Sequence, residues 1–269
     1  MTIWKHAEVG HSQDATQKLA MMFDGKKFFD YPKPVDLIKR CLELYSTKDC
    51  VVLDFFSGSG TTAHSLFKLN AEDEGSRRFI LVQLPEETDK DSPAYKAGYE
   101  TICEIGKERI RRAGRKIKEE AGLQGQGLDT GFRVFRVDES NMEDVYFRPA
   151  ALRQEDLGLL FDNVKPDRTD LDLLFGAMLD WGVQLSLPMS KATVDGCDVY
   201  TVNEGDLVAC FADNITENVI EYIAGQSPLR VLFRDSCFGS DADKINIFEL
   251  FKQRLGWSDD DAHKIIRVI

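Results

Sequence analysis

Apolar and polar residues in the first third of the chain predict one helix, followed by a strand–helix–strand unit. Residues 1–31 are polar and predict irregular structure. Pro34 suits the first turn of a helix, where its missing N–H costs nothing. The apolar residues that follow it have the spacing of one helical face: Val35, Ile38, Leu42 and Tyr45. Short β-branched apolar runs over 50–55 and 78–84 predict two buried parallel strands, with a helix from Thr61 to about Leu69 between them.

The rest of the chain predicts a long helix, a flexible connection and a second set of helices and strands. Residues 95–121 repeat apolar positions at helical spacing. Glycine-rich residues 122–131 predict a flexible connection, and residues 131–138 alternate in the manner of a half-exposed strand. The later predicted helices cover 170–181, 216–224 and 243–255. The later predicted strands cover 198–202, 207–211 and 229–233, with one more at the end of the chain.

Charge is distributed unevenly along the 269 residues. The formal net charge is −12, from 34 basic and 46 acidic side chains, which argues against coating of nucleic acid by charge alone. Residues 1–137 hold 22 basic and 21 acidic side chains, whereas residues 138–269 hold 12 and 25. This contrast predicts two modules with different partners, divided between residues 137 and 138.

Several classes of protein are disfavoured by composition. No apolar run reaches the ~18 residues that a membrane span needs, and the polar N-terminus lacks the apolar stretch of a signal peptide. The six cysteines are far apart and form no CxxC pair, which predicts reduced thiols in a cytoplasmic protein. We expect no metal site, because the four histidines lack metal-ligand spacing.

The residues with the most informative chemistry form the string VVLDFFSGSGTT at 51–62. Gly58 and Gly60 let a ligand approach the backbone closely, and the helix start beyond them offers unpaired N–H groups to an anion. The two threonines that follow add hydroxyl donors. The string is not a dinucleotide-binding G-x-G-x-x-G, since Ala63 takes the third glycine position, nor a P-loop, since no lysine follows the glycines.

This string resembles the S-adenosylmethionine motif of amino-methylating DNA methyltransferases, D-x-F-x-G-S-G-T-T. The resemblance implies that the turn and its aspartate hold the methionine end of the cofactor. Lys33-Pro34 resembles the upstream motif that completes the cofactor pocket, although alone it would indicate only a helix start. Gln83 lies near the position at which many S-adenosylmethionine enzymes have an acidic residue that binds the ribose hydroxyls. The alternative is that Gln83 is an ordinary strand-end residue. The predicted cofactor-binding residues are Lys33, Pro34, Asp54, Phe55, Phe56, Ser57, Gly58, Ser59, Gly60, Thr61, Thr62 and Gln83.

Further strings, in the same order, are similar to the modification subunit of type III restriction–modification systems: FDYPKP, RRFILVQLPEE, ICEIGKERIRRAGRKI, PDRTDLDLLF and PLRVLFRDSCF. The resemblance implies an α/β protein. Residues 1–137 would form a class-I, Rossmann-like methyltransferase sheet that is incomplete at its N-terminus, and residues 138–269 a smaller acidic α/β assembly module. It also implies methyl transfer from S-adenosylmethionine to adenine N6 in DNA. The implied partners are DNA, a restriction subunit and a second copy of the subunit.

One part of the family pattern is missing. The family holds the flipped base and its amine with a D/N-P-P-Y/F tetrapeptide, and here no two of the eight prolines are adjacent. In this family order the tetrapeptide precedes the cofactor motif, and 53 residues precede Asp54. We therefore expect the C-terminal part of a longer subunit or a shortened relative, with no assigned catalytic residue and no activity in isolation.

Basic residues crowd the long predicted helix, where residues 105–118 hold seven Lys and Arg and one acidic residue. One interpretation is a phosphate-contacting helix, and the other is a solvated face above an apolar underside. The residues predicted to contact DNA in the first case are Arg109, Arg112, Arg115 and Lys116.

Two other functions stay open at this point. A non-catalytic module for cofactor binding or subunit assembly is favoured for the isolated chain by the missing tetrapeptide. A small-molecule methyltransferase with an unrelated acceptor site is the third hypothesis, and the resemblance of the C-terminal strings weighs against it.

Overall fold

The computed structural model of the protein describes residues 3–143 and 163–269. The chain divides into two compact units, Met1–Phe132 and Arg133–Ile269. The observed division thus falls five residues before the boundary that the charge contrast predicts. Across the described residues, no helix has the length and apolar character that crossing a bilayer requires.

The first unit is built around two parallel strands, β1 (Val51–Asp54) and β2 (Arg78–Leu81). Val51 pairs with Arg78 and Asp54 with Leu81, which confirms the predicted strand–helix–strand unit. The helices of this unit are α1 (His6–Val9), α2 (Ser12–Met22), α3 (Val35–Tyr45), α4 (Thr61–Asp73), α5 (Pro93–Lys96) and α6 (Ile102–Ala121).

Helices α3, α4 and α6 form the core with one face of the strands. Phe67 of α4 packs edge-on against Phe79 of β2, with ring centroids 5.7 Å apart. The buried side chains of this cluster are Leu42, Ala63, Leu66, Phe67, Leu69, Ile110 and Ile117. A second cluster joins α2 and α6 through Leu19, Phe23, Ala94 and Ile105. These contacts hold α4 and α6 side by side, beneath the turn that joins β1 to α4.

The expectation that both strands are buried is wrong for one of their two faces. Side chains alternate between the packed side and the solvent along each strand. The outward side chains form an apolar face that is between 47% and 69% exposed: Val51, Leu53, Phe55, Ile80, Val82 and Leu84. An apolar run indicates side chains suited to burial, but the described residues cover only one side of this pair.

Four other predictions in the first half need correction. Residues 1–31 are not wholly irregular, because they contain α1 and α2. Helix α2 begins at an uncommon cap, in which the His11 side chain accepts the backbone N–H of Asp14. Tyr45 is 88% exposed and so does not share the buried face of α3. The long helix predicted over 95–121 is interrupted at Gly98, whose φ is +89°. Residues 131–138 do not form a strand.

The second unit contains a five-stranded mixed sheet in the order β3-β4-β5-β6-β7. The first two pairs are antiparallel and the last two are parallel. The strands are β3 (Met189–Val194), β4 (Cys197–Val202), β5 (Leu207–Cys210), β6 (Val231–Phe233) and β7 (Ile266–Val268). The helices are α7 (Asp170–Asp180), α8 (Glu217–Gly225), α9 (Asp241–Leu255) and α10 (Asp259–Ile265). All of these were predicted in position and type except β3 and α10.

Hydrogen bonding at the start of α7 explains why that helix was predictable. The Thr169 side chain accepts the N–H of Asp172, and the Asp172 side chain accepts the N–H of Thr169. This reciprocal capping box satisfies two backbone donors that a helix start otherwise leaves unpaired. Residues 144–162 lie outside the described part of the chain.

Candidate functional site

The predicted motif forms a tight turn between the end of β1 and the start of α4. Gly58 and Gly60 have φ angles of +52° and +75°, the left-handed region that glycine enters at little cost. Gly60 is the N-cap of α4 and provides no side-chain acceptor. The first N–H groups of this 13-residue helix are therefore left without a cap at the turn.

Asp54 ties the end of the strand to the first turn of the helix. Its Oδ1 accepts the backbone N–H of Phe56 at 3.1 Å, and its Oδ2 accepts the hydroxyl of Thr62 at 2.5 Å. The carboxylate therefore fixes the path of the chain on both sides of the glycines.

The two other predicted segments meet at this turn. Gln83, just beyond β2, accepts the Gly58 N–H on its Oε1 at 2.7 Å. The Thr61 hydroxyl donates to the Lys33 carbonyl at 3.4 Å, so the Lys33-Pro34 segment lies against the helix start. Segments about 25 residues away on either side of the turn are thus brought to one place.

The turn has a buried side and an open side. Ser59, Thr61 and Thr62 are each less than 10% exposed. Phe55 and Phe56 are 60% and 82% exposed, with ring centroids 5.3 Å apart. Aromatic surface therefore borders the turn where it faces solvent, and polar hydroxyls lie on the inner side.

Arg109 of α6 lies inside this site and not on the DNA-contacting surface where the sequence placed it. It is 3% exposed, and its Nη1 donates to the hydroxyls of Ser59 and Thr61 at 2.6 and 2.7 Å. Its Nε is buried and has no hydrogen-bond partner in the described structure. The prediction that Arg109 contacts DNA is therefore corrected, because a buried guanidinium cannot reach a phosphate at the surface.

The other three predicted DNA contacts differ in their surroundings. Arg112 is engaged by the Met22 carbonyl and by the carboxylates of Asp24 and Glu108. Arg115 and Lys116 have side chains that are 67% and 64% exposed. Only these last two present most of their charged side chain to solvent.

Gly106 completes the back of the turn and was not identified from the sequence. A Cβ added to it would lie 3.3 Å from the Gly58 carbonyl oxygen, closer than ordinary van der Waals contact. Both Gly106 and Arg109 are among the buried residues of α6. Arg109 lies four residues after the buried Ile105 and four before the buried Ala113, which places all three on one face of the helix. That spacing, and not the count of basic residues, is the signal that identifies Arg109 as an inward-facing residue.

Burial also changes the proton affinities near the turn. Desolvation lowers the pKa of Arg109 to about 10. Burial, assisted by the positive charge of Arg109, lowers the pKa of His64 to about 3. His64 is therefore neutral near neutral pH, whereas Arg109 remains a cation.

The turn lies in a part of the chain that is similar to known proteins. Residues 1–115 match a family model described as DNA methylase. The Mod subunit of the type III restriction-modification enzyme StyLTI of Salmonella typhimurium is 43% identical over 128 residues, which are 48% of this chain and 19% of the relative. The type II methyltransferase M.KpnI of Klebsiella pneumoniae is 38% identical over 104 residues, which are 39% of this chain and 24% of the relative.

A third relative matches over both units. The Mod subunit of the type III restriction-modification enzyme EcoP15I of Escherichia coli is 30% identical over 248 residues, which are 88% of this chain and 36% of the relative. The chain thus spans between about a fifth and about a third of the length of these relatives. Residues 1–115 are thus similar to the DNA methylase family, and over most of its length the chain is similar to the Mod subunit of the type III restriction-modification enzyme EcoP15I.

Proposed function

We propose that the first unit binds S-adenosylmethionine and serves the methylation of adenine N6 in DNA as part of a type III modification subunit. The observation that carries this proposal is the uncapped start of α4, where Lys33, the Asp54–Thr62 turn and Gln83 converge. The family match over residues 1–115 includes all of these residues. The names of the relatives favour a DNA methyltransferase over a non-catalytic module.

The chemistry of the turn fits the two ends of this cofactor. Unpaired N–H groups at the start of α4 and a buried cation behind it suit the carboxylate of the methionine portion. The exposed rings of Phe55 and Phe56 suit a flat base or a sulfonium cation, both of which bind to aromatic faces. Asp54 would hold the turn in shape through Phe56 and Thr62.

When bound, S-adenosylmethionine supplies a methyl group that is already activated by its sulfonium centre. The residues of this chain would then position that group and keep water from it. The turn provides the positioning through backbone N–H groups that are fixed by two glycines and by the Asp54 carboxylate.

Holding the target amine is a separate task, for which this sequence contains no D-P-P-Y tetrapeptide. We therefore assign cofactor binding to this chain and no catalytic residue for the amine. We further propose that DNA and a restriction subunit are partners of the complete assembly, which acts in the cytoplasm, and that two copies of the subunit pair.

Calorimetric titration of the chain with S-adenosylmethionine tests the proposal. We expect binding of one cofactor per chain, which Asp54→Ala weakens at least about tenfold, since it removes the acceptor of two hydrogen bonds next to the turn. Asp49→Ala is the matched control, because Asp49 is exposed and lies before β1. Failure of the unaltered chain to bind, or equal affinity in the Asp54 and Asp49 variants, contradicts the proposal.

A transfer assay with labelled cofactor and DNA tests the separation of tasks. We expect no methylation by this chain alone, and methylation once a relative's polypeptide that carries the D-P-P-Y tetrapeptide is added. Methylation by the chain alone would show that its own residues hold the amine.

A further inference from the structure

Helix α6 packs directly behind the turn, and two of its residues make the contact. Gly106 allows the helix to approach the Gly58 carbonyl, to which even a methyl group would come within 3.3 Å. The turn approaches the helix just as closely at Gly60, since a Cβ added there would lie 3.3 Å from the Gly106 carbonyl oxygen. This close approach brings Arg109, one turn further along α6, within hydrogen-bond distance of Ser59 and Thr61.

Arg109 carries a buried positive charge that no carboxylate balances in the described residues. Its only hydrogen-bond partners there are the two neutral hydroxyls, and burial is the one cause of its lowered pKa. Its buried Nε has no partner at all within residues 3–143 and 163–269. Burying an unbalanced charge is costly, so its presence behind a helix start requires either a structural reason or an anionic ligand.

The hydrogen bonds of Arg109 also set the direction of the hydroxyl protons. A hydroxyl has one proton to donate and two lone pairs that accept. Because Arg109 N–H groups occupy lone pairs of Ser59 and Thr61, each oxygen keeps its proton for an acceptor on another side. In Thr61 that acceptor is the Lys33 carbonyl. The Ser59 hydroxyl therefore keeps its proton for an anionic acceptor, whereas the Thr61 proton is already used by the Lys33 carbonyl.

We propose that Arg109 is a positioning residue of the cofactor site, whose buried charge, acting through the Ser59 hydroxyl, selects for the carboxylate of the methionine portion. This inference rests on the proposed function of the turn. A purely structural Arg109 would instead hold the turn in shape and affect all ligands of the turn alike. The two roles therefore differ in their dependence on the ligand's carboxylate.

The test compares two probes in calorimetric titrations of the full chain. S-adenosylmethionine and decarboxylated S-adenosylmethionine share the sulfonium, the amine and the adenosine, and differ only in the carboxylate. We measure the ratio of their dissociation constants for the unaltered chain and for Arg109→Met, which keeps an unbranched chain as far as the position of Nε and removes the guanidinium charge. Arg111→Met is the matched control, because it makes the same change on an exposed part of the same helix.

We expect Arg109→Met to weaken S-adenosylmethionine by about tenfold or more, as for loss of a hydrogen bond to a charged group, and to leave the decarboxylated probe unchanged or bound more tightly. Arg109→Lys, which retains the charge, should recover part of the selectivity. Ser59→Ala, which removes one hydroxyl and keeps the charge, should lower the selectivity severalfold. If Arg109→Met does not fold, as judged by circular dichroism, these two variants carry the test.

Each contrary result has a distinct meaning. Equal weakening of both probes, or an unchanged ratio in the Arg109 and Ser59 variants, overturns the role of the charge while the proposed function stands. Failure of the unaltered chain to bind either probe removes the proposed function and this inference together.

Discussion

Replacing Gly60 with alanine should destabilise the first unit by about 2–3 kcal/mol. Backbone strain, the entropy of the unfolded chain and crowding against α6 each contribute to this change. Its φ of +75° costs an L-residue about 1–2 kcal/mol in the left-handed region. Alanine recovers about 0.4–1 kcal/mol because it reduces the entropy of the unfolded chain. Together these two effects leave a net cost of about 1 kcal/mol, and crowding adds the rest.

The crowding comes from α6. The new Cβ would lie 3.2 Å from Cγ1 of Ile110 and 3.3 Å from the Gly106 carbonyl oxygen. Both neighbours belong to the packed helix and are not flexible ends of exposed side chains. We therefore expect an overpacking cost of about 1–2 kcal/mol, within the usual range for an added methyl group in a filled site.

Gly25→Ala is the matched control for backbone strain. Gly25 has a φ of +81° and nothing within 4 Å of the added Cβ, so its substitution should cost only the net backbone effect, about 1 kcal/mol. The measurement is a urea titration read by hydrogen-exchange mass spectrometry on peptides from residues 3–132, which reports this unit by itself. If the two variants agree within about 0.5 kcal/mol, the crowding argument is wrong.

Three further predictions concern the same unit. The free energy of unfolding should fall by about 2 kcal/mol from pH 6.5 to 4.5, because His64, with a pKa of about 3, stays neutral when folded but gains a proton when unfolded. His64→Gln should remove this loss in urea titrations at the two pH values. Leu53→Lys combined with Ile80→Lys should reduce both the binding of an apolar dye and self-association, since these side chains are 58% and 54% exposed on the apolar face. Arg77→Met should cost about 2 kcal/mol in thermal unfolding, because it leaves Asp73, which accepts two hydrogen bonds from this buried guanidinium, without its partner.

Each of these predictions has a result that would contradict it. An unchanged pH dependence in the His64 variant would show that the loss comes from other groups. Dye binding that is the same with and without the two lysines would show that the apolar face is covered in solution. A change below about 0.5 kcal/mol in the Arg77 variant would place its ion pair among ordinary surface pairs.

The order of elements around the turn was predictable because its signals are local. A β-branched run, two glycines at positive φ and a helix start follow one another within a dozen residues, and the structure has them in that order. The exposure of one face of the two strands was not predictable, because the apolar run of β1 has the same composition whether one face or both faces are packed. The start of α2 was missed because histidine is an uncommon N-cap, although His11 accepts the expected hydrogen bond.

Of the residues that meet at the turn, those in recognisable strings were singled out from the sequence, and those contributed by α6 were missed. Asp54, Lys33 and Gln83 belong to strings that carry a recognisable pattern, and they meet at the turn. Arg109 was grouped with its basic neighbours because charge counted along a helix does not show which face each residue occupies. Its place on the stripe between Ile105 and Ala113 does show it.

The hydrogen bond from Gly58 to Gln83 has a consequence for any group that binds at the turn. An incoming oxygen at the Gly58 N–H has to displace the side-chain amide that already accepts there at 2.7 Å. The net gain is then the difference between two similar hydrogen bonds, on the order of 1 kcal/mol. Rotation of one glutamine about its own torsions is enough to exchange them, and the peptide backbone keeps its course. Occupancy of the site would therefore be reported by the rotamer of residue 83.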